Sequence, residues 1–265
     1  MAFLTDTHCH LNLPQFDSDL ETVINEAHQR GIKKILVPGT DIPTSEKAIK
    51  IAERFPDVYA AVGIHPNDGL KWDSQSYKKL QSLAKMPKVV AIGEIGLDYY
   101  WKDCPEEIQK NILRDQLMIA DENQLPVILH SRNSLMDLIK LITDWISLRE
   151  PDPSNRPLGV FHAFEGNLED AFIIKELNFY LGIGGPVTYK NALMKQQIAK
   201  DFPISSILLE TDSPYLSPHP FRGKRNQPSN IYFIAEKVSQ IRETQLKLIV
   251  QETTNNADIL FAWEY

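Results

Sequence analysis

Residues 3–10 read FLTDTHCH. The stretch opens on apolar residues and then sets Asp6, His8 and His10 at i, i+2 and i+4. In a strand that spacing points all three side chains to one face, while Cys9 alternates to the other. Cys9 therefore reads as a buried, small apolar residue. A strand that starts apolar and ends in a row of ionisable groups on one side delivers those groups to a common pocket if its neighbours do the same.

Seven further runs follow the plan. Residues 33–38, 58–64, 89–94, 127–130, 159–162, 180–184 and 207–211 are short and apolar, most are rich in Val and Ile, and most give way within a few residues to polar or Gly/Pro chain. Helical patterns fill the gaps. Residues 18–30 place Leu20, Val23, Ile24 and Ala27 on one face. Residues 106–123 set Ile108, Ile112, Leu113, Leu117 and Ala120 at helical spacing behind Pro105 and two acids, a composition that suits a helix start. Residues 133–148, 231–241 and 245–261 read similarly.

Eight strand–helix units in about 250 residues is the arithmetic of a (β/α)8 barrel. We expect one α/β domain over residues 1–265, a TIM barrel of the metallo-dependent hydrolase type. The main rival is an open doubly wound sheet, which would hold ligands at a switch in strand order. The polar stretch 150–157, with Pro151, Pro153 and Pro157, reads as a loop rather than a domain boundary. No short-period repeat is present.

The bulk properties narrow the setting. Of 265 residues, 43% are hydrophobic and 24% charged, as in a globular protein in water. No run is long and apolar enough to cross a bilayer, and residues 1–14 lack a basic segment followed by an apolar one. Two cysteines, Cys9 and Cys104, make no disulfide framework, so reduced thiols and a cytoplasmic location are expected. No obligate protein partner is evident. The net charge of −7 argues against a partner held by a broad basic face, although bound divalent cations would reverse the sign of a carboxylate-rich pocket.

Ionisable residues recur at the strand ends. Glu94 ends the fourth run, His130 the fifth and His162 the sixth; His65 follows the third, and Asp212 lies just past the eighth. Of seven histidines, His8, His10, His65, His130, His162 and His219 fall at or after a strand end, and only His28 lies in a helix. In a barrel these ends converge on one rim. His8, His10, Glu94, His130, His162 and Asp212 are too many ligands for one tetrahedral structural metal. They fit two divalent metals sharing a carboxylate, with Glu94 placed to bridge. Zn²⁺, Mn²⁺, Fe²⁺ and Mg²⁺ all suit such donors. Asp6 is either a support for a ligand or a structural residue of the strand start. Glu210 either orients a ligand or sits in the core as a satisfied carboxylate.

The segment PHPFRGKRNQP, residues 218–228, brings Arg222, Lys224 and Arg225 to the same rim, and the planar guanidinium fork suits phosphate oxygens. Arg132, two residues after His130, adds a donor. Tyr99, Tyr100 and Trp101 are either a stacking surface for a base or the core of a long loop.

DTHCHL, VGIHP, AIGEIGLDYY, ILHSR, ETDSPYL and HPFRGKRNQP together resemble the TatD family of metal-dependent deoxyribonucleases, over Thr5 to about Phe261. The resemblance implies a TIM-barrel metallohydrolase acting on DNA, often as a 3′→5′ exonuclease. It places the metal ligands at His8, His10, Glu94, His130, His162 and Asp212. Two departures stand beside the site: HAFEG where HCFSG is common, which introduces Glu165, and HSRN for the commoner HSRD, which introduces Asn133.

The expected reaction is hydrolysis of a phosphodiester of DNA, as single strands or at 3′ ends. Two divalent metals would lower the pKa of a bound water, Asp212 would take its proton, and Glu94 would hold the metals. His65, Arg132, Arg222, Lys224 and Arg225 would neutralise charge on the phosphate. Two other readings are an amidohydrolase-type enzyme for cyclic amides, lactones or small esters, and a metal-stabilised binding scaffold. The first often bridges its metals with a modified lysine on the fourth strand, where this chain has Glu94; the second needs no open coordination positions.

Overall fold

The structure, a computed structural model, describes residues 3–150 and 155–263. Its strands are β1 (Leu4–Asp6), β2 (Ile32–Pro38), β3 (Val58–Val62), β4 (Val89–Asp98), β5 (Val127–Arg132), β6 (Gly159–Phe161), β7 (Phe179–Ile183) and β8 (Ile207–Leu209). They form one sheet in chain order, each parallel to the next. A doubly wound sheet would reverse its strand order partway, so that rival is excluded.

Hydrogen bonds just beyond β1 and β8 draw the sheet toward closure. Thr7 N donates to Leu209 O (3.2 Å), Asp212 N to His8 O (2.8 Å) and His10 N to Ser213 O (2.7 Å), with Cys9 bridged to Ser213. The opening row of ionisable residues is thereby bonded to the segment that carries Asp212.

Helices α1 (Leu20–Gln29), α2 (Ile42–Arg54), α3 (Ser74–Leu83), α4 (Glu106–Asn123), α5 (Leu135–Ser147), α6 (Leu168–Glu176) and α7 (Leu193–Asp201) each follow the strand of the same number. Two more, α8 (Ile231–Ile241) and α9 (Leu246–Phe261), follow β8. Their apolar faces pack on the sheet in a large buried cluster that includes Ile24, Ile35, Leu117, Leu129, Ile142, Phe161 and Ile234. A second cluster takes alternate strand residues, among them Leu36, Val90, Ile128, Val160, Tyr180 and Leu208, together with Leu260, Phe261 and Trp263. Period-two alternation then sets the next residue on that second face. Ile128 is followed by His130, Val160 by His162 and Leu208 by Glu210, so the polar layer is the direct continuation of the apolar one.

The apolar runs mark the strands closely and differ from them at the ends: β1 stops at Asp6, which leaves His8 and His10 just beyond it, and β8 stops at Leu209. β3 stops at Val62, and Gly63–His65 leave as loop. β4 runs to Asp98, four residues past the run, because its ladder with β5 continues through Gly96↔His130, Leu97↔Ser131 and Asp98↔Arg132. The register of that ladder shifts between Ile92 and Ile95, which is where Glu94 lies. α4 and α8 span the expected residues, while α1 and α5 are shorter by a few. Pro151 and Pro153 of the expected loop lie outside the described residues; Pro157 precedes β6 in irregular chain. Among the described residues no helix is long and apolar enough to cross a membrane.

Candidate metal centre

Glu94 occupies the middle of the rim, and its two carboxylate oxygens face different partners. Oε2 is 3.3 Å from His8 Nε2 and 3.4 Å from His10 Nε2. Oε1 is 2.9 Å from His130 Nδ1 and 3.0 Å from His162 Nε2. Asp212 completes the first group, its Oδ1 lying 3.5 Å from His10 Nε2 and 3.9 Å from His8 Nε2. All six expected ligands thus meet around one carboxylate. Asp212 sits on a left-handed backbone turn (φ +55°), a conformation that Asp tolerates better than most residues.

The donor chemistry fits a cation. Nε2 of His8 and Nε2 of His10 approach to 3.1 Å, and both face the Glu94 and Asp212 carboxylates. Nδ1 of His8, His10 and His162 are buried with no hydrogen-bond partner among the described residues. Lone pairs and carboxylates packed this closely repel unless protons or metals lie between them. Among the described residues, three groups have ligand atoms close enough together to share an ion: His8, Glu94 and His162; His8, His10 and Asp212; and His65, Asp98 and His130.

Without metal, protons take up the imbalance. Burial pushes the Glu94 carboxyl up, but the facing His162, His130 and His8 outweigh it and hold it well below the usual range. Burial works to lower His162, and Glu94 and Glu210 raise it well above the ordinary histidine value instead. His130 is likewise raised, Asp98 and Glu94 overcoming its burial. Burial and the neighbouring His162 lower His8. Asp212 is drawn down, chiefly by His10 and His162, against its burial.

His65 stands slightly apart, its Nε2 3.6 Å from Glu94 Oε1 and its ring 4.4 Å from that of His130. Its Nδ1 accepts the backbone N–H of Asn67 (3.2 Å), which leaves the ring hydrogen on Nε2, toward the site. Burial, reinforced by His130, lowers its pKa to about 3, so it is a neutral donor.

One supporting residue was not anticipated. Asp98 Oδ2 lies 3.2 Å from His130 Nε2 and accepts from Asn67 Nδ2 (3.3 Å), while Oδ1 accepts from Tyr100 N (2.9 Å) and Trp101 N (3.2 Å). In the sequence, GLDYY marks an acid before an aromatic turn, but only the pairing of β4 with β5 carries the strand as far as Asp98. Of the two residues left open, Glu210 is buried behind His162, its Oε1 3.7 Å from His162 Nδ1 and accepting from Ala163 N (2.5 Å). Asp6 turns to the backbone, accepting from Thr211 N (2.9 Å), Thr211 Oγ1 (2.5 Å) and His8 N (3.3 Å).

His10, Glu94, His130, His162 and Asp212 line a cavity of about 680 Å³, along with His65, Trp101, Arg132 and Glu165, while His8 is buried behind its wall. The basic segment is not part of its lining, which departs from expectation. Arg225 is engaged elsewhere: it forks onto both oxygens of Asp19 (2.9 and 2.6 Å), donates to Gln15 O (2.6 Å) and lies over the Phe16 ring. Arg222 lies over Tyr189 and Lys224 near Phe221, both exposed. His219 is exposed, and His28 faces Asp57 from α1. Asn133 lines a neighbouring cavity with Glu165.

Comparison with known proteins agrees with this geometry. Residues 5–262 match the family described as TatD related DNase. An uncharacterized metal-dependent hydrolase of Bacillus subtilis, YabD, is 40% identical over 258 residues, 97% of this chain and 98% of that protein. The 3′-5′ ssDNA/RNA exonuclease TatD of Salmonella typhimurium is 31% identical over 261 residues, 97% of this chain and 98% of that one. The crystal structure of YjjV, a TatD homologue from Escherichia coli, superposes with a TM-score of 0.91 at 33% identity, covering 98% of both chains. With its barrel, its histidine–carboxylate rim and matches along nearly its whole length, the chain belongs to the TatD related DNase family and is a metal-dependent hydrolase.

Proposed function

We propose that the chain hydrolyses phosphodiester bonds of DNA, as a 3′→5′ exonuclease on single-stranded ends, at a dinuclear centre held by His8, His10, Glu94, His130, His162 and Asp212. The observation that carries the reading is the division of Glu94: one oxygen faces His8 and His10, the other His130 and His162. A carboxylate shared in this way suits a bridge between two cations. The name of the Salmonella relative supports the substrate and the direction.

Two divalent metals, Zn²⁺, Mg²⁺ or Mn²⁺, would supply Lewis-acid charge and a water of lowered pKa. The protein's own residues do the rest. The Asp212 carboxylate, ionised because facing histidines draw its pKa down against burial, accepts the proton of the attacking water. His65 donates its Nε2–H to a phosphate oxygen, and Arg132 adds positive charge from the cavity wall. Arg222 and Lys224, exposed beyond the cavity, remain for phosphates further along the strand.

The test uses metal-loaded protein with end-labelled single- and double-stranded DNA. Mononucleotides released from the 3′ end, with release stopped by chelator and by Asp212→Ala while the circular dichroism spectrum is retained, is the expected result. Undiminished nuclease activity in Asp212→Ala would sink the assignment. Turnover of cyclic amides in place of DNA would return the amidohydrolase reading.

A further inference from the structure

Three of the four tryptophans are withdrawn from water or tied down. Trp145 and Trp263 are buried, and partly buried Trp72 donates to Asp115 (2.9 Å). Trp101 is 50% exposed, and it lines the same cavity as Glu94 and His130. An exposed indole on a loose loop would signify little, but this loop is fastened. Asp98 Oδ1 accepts the backbone N–H of Tyr100 and of Trp101. Gln109, buried in α4, accepts from Asp98 N (2.8 Å) and donates to Asp98 O (2.9 Å) and Cys104 O (2.9 Å). The turn is therefore pinned on both sides of Trp101, while its aromatic surface stays open.

The surroundings of the ring are those of a stacking platform. Tyr100, also half exposed, meets Trp101 edge-on, with centroids 5.0 Å apart at 87°. The Arg132 guanidinium lies 4.0 Å from the Tyr100 centroid and 5.8 Å from that of Trp101. Arg132 also lines the cavity, two residues along β5 from His130. A positive planar group and an open π face thus stand on the wall of a pocket floored by ligand-type residues. A nucleotide presents the matching pair, an anionic phosphate joined to a flat base.

We infer that Trp101, backed by Tyr100 and Arg132, is a nucleobase-stacking subsite for the nucleotide whose phosphate occupies the metal centre. The inference rests on the phosphodiester reading for the position of the phosphate. It adds that the base itself is recognised, by its face and not by its hydrogen-bonding edge, so all four bases are accepted. The base must be unpaired to reach the indole.

Calorimetry on the Mg²⁺-loaded protein tests the subsite without turnover. The probes are thymidine 5′-monophosphate and the base-free 2-deoxyribose 5-phosphate. The wild type should bind the nucleotide about tenfold more tightly than the sugar phosphate, the scale of one base–aromatic stack. Trp101→Ala and Trp101→Leu should bring the nucleotide to the level of the sugar phosphate, while Trp101→Phe keeps most of the difference. Using Leu and Phe as a pair separates loss of the π face from loss of bulk, and far-UV circular dichroism checks folding. Equal affinity for the two probes in the wild type overturns the subsite, as does equal weakening of both in Trp101→Leu. The same preparation is assayed for DNA hydrolysis. Base-dependent binding without hydrolysis upholds the subsite and removes the nuclease reading; hydrolysis without base-dependent binding does the reverse.

Discussion

Oδ2 of Asp98 stands 3.2 Å from Nε2 of His130, on the far side of the imidazole from Glu94, whose Oε1 is 2.9 Å from Nδ1. Burial works to raise the Asp98 carboxyl, yet His130 and the Trp101 N–H bring it down to about 2, so it is an acceptor at any working pH. His130 therefore keeps a hydrogen on Nε2. Its Nδ1 faces a carboxylate oxygen, an arrangement that needs either a second proton or a cation between the two. Asp98 thus sets which nitrogen of His130 is offered to a metal. Asp98→Ala should weaken divalent-metal binding by about 10- to 100-fold in titrations of metal-stripped protein. Asp98→Asn, which keeps an accepting oxygen, should recover most of it. Wild-type affinity in Asp98→Ala would contradict the assignment.

Protonation in the metal-free state gives the stability a defined slope with pH. His162 and His130 are raised above the ordinary value of 6.5, so the folded protein holds protons there that the unfolded chain releases. Their stabilisation is complete below about pH 6.5 and is lost as pH rises through their folded values. Asp6, pushed up to about 8 by burial, contributes with the same sign. His8 is lowered and acts only on the acid side, where it costs stability as pH falls below 6.5. Metal binding runs the other way, because ligands must lose protons to bind. The difference in Tm between metal-loaded and metal-stripped protein should widen from pH 6.5 to pH 8.5. Calorimetry in buffers of different ionisation heat should show net proton release on metal uptake. A gap that narrows with pH would show that the histidines are not metal ligands.

What the sequence disclosed and what it hid follow a physical division. A strand end is a local event, so His130 and His162 could be read from apolar runs that stop on a histidine, and His8 and His10 from their spacing, although β1 itself ends at Asp6 and Asp6 turns to Thr211 instead of the cavity. Asp98 escaped because β4 extends past its apolar run, held by pairing with β5 that no residue of β4 itself announces. Charge and position, which are visible in sequence, place Arg225 toward phosphate. Its partner Asp19 is 206 residues away and became its neighbour only when the sheet drew toward closure. Tertiary pairing of that kind leaves no spacing to recognise.

The two arginines should consequently behave differently. Arg132 lines the cavity, so Arg132→Ala should raise KM for oligonucleotides several-fold and make binding less dependent on salt. Arg225 is paired with Asp19 at a half-exposed position, so Arg225→Ala should lower stability by less than about 1 kcal/mol. KM should stay within about twofold of wild type. Steady-state assays at two ionic strengths, with thermal denaturation, separate them. A larger KM effect from Arg225 than from Arg132 would reverse the placement of phosphate on the rim.

Gly182 offers the sharpest test of the layer beneath the candidate metal centre. A Cβ there would come within 2.3 Å of Glu210 Oε2, so the carboxylate would have to move. Glu210 is not free to move quietly: Oε1 accepts the N–H of Ala163, on a left-handed turn (φ +46°), and lies 3.7 Å from Nδ1 of His162. Gly182→Ala should therefore cost about 1–3 kcal/mol by overpacking and also disturb His162. Metal stoichiometry, read by elemental analysis after dialysis, should fall below that of the wild type. Gly31→Ala is the control. It is strained by its own φ of +84° but meets nothing within 4 Å, so it should cost about 1 kcal/mol and leave the metals alone. Adding Glu210→Ala to Gly182→Ala removes the collision and should restore part of the lost Tm. It should not restore the metal, because the group that steadied His162 is then gone. Full metal content in the double variant would mean that Glu210 only fills space.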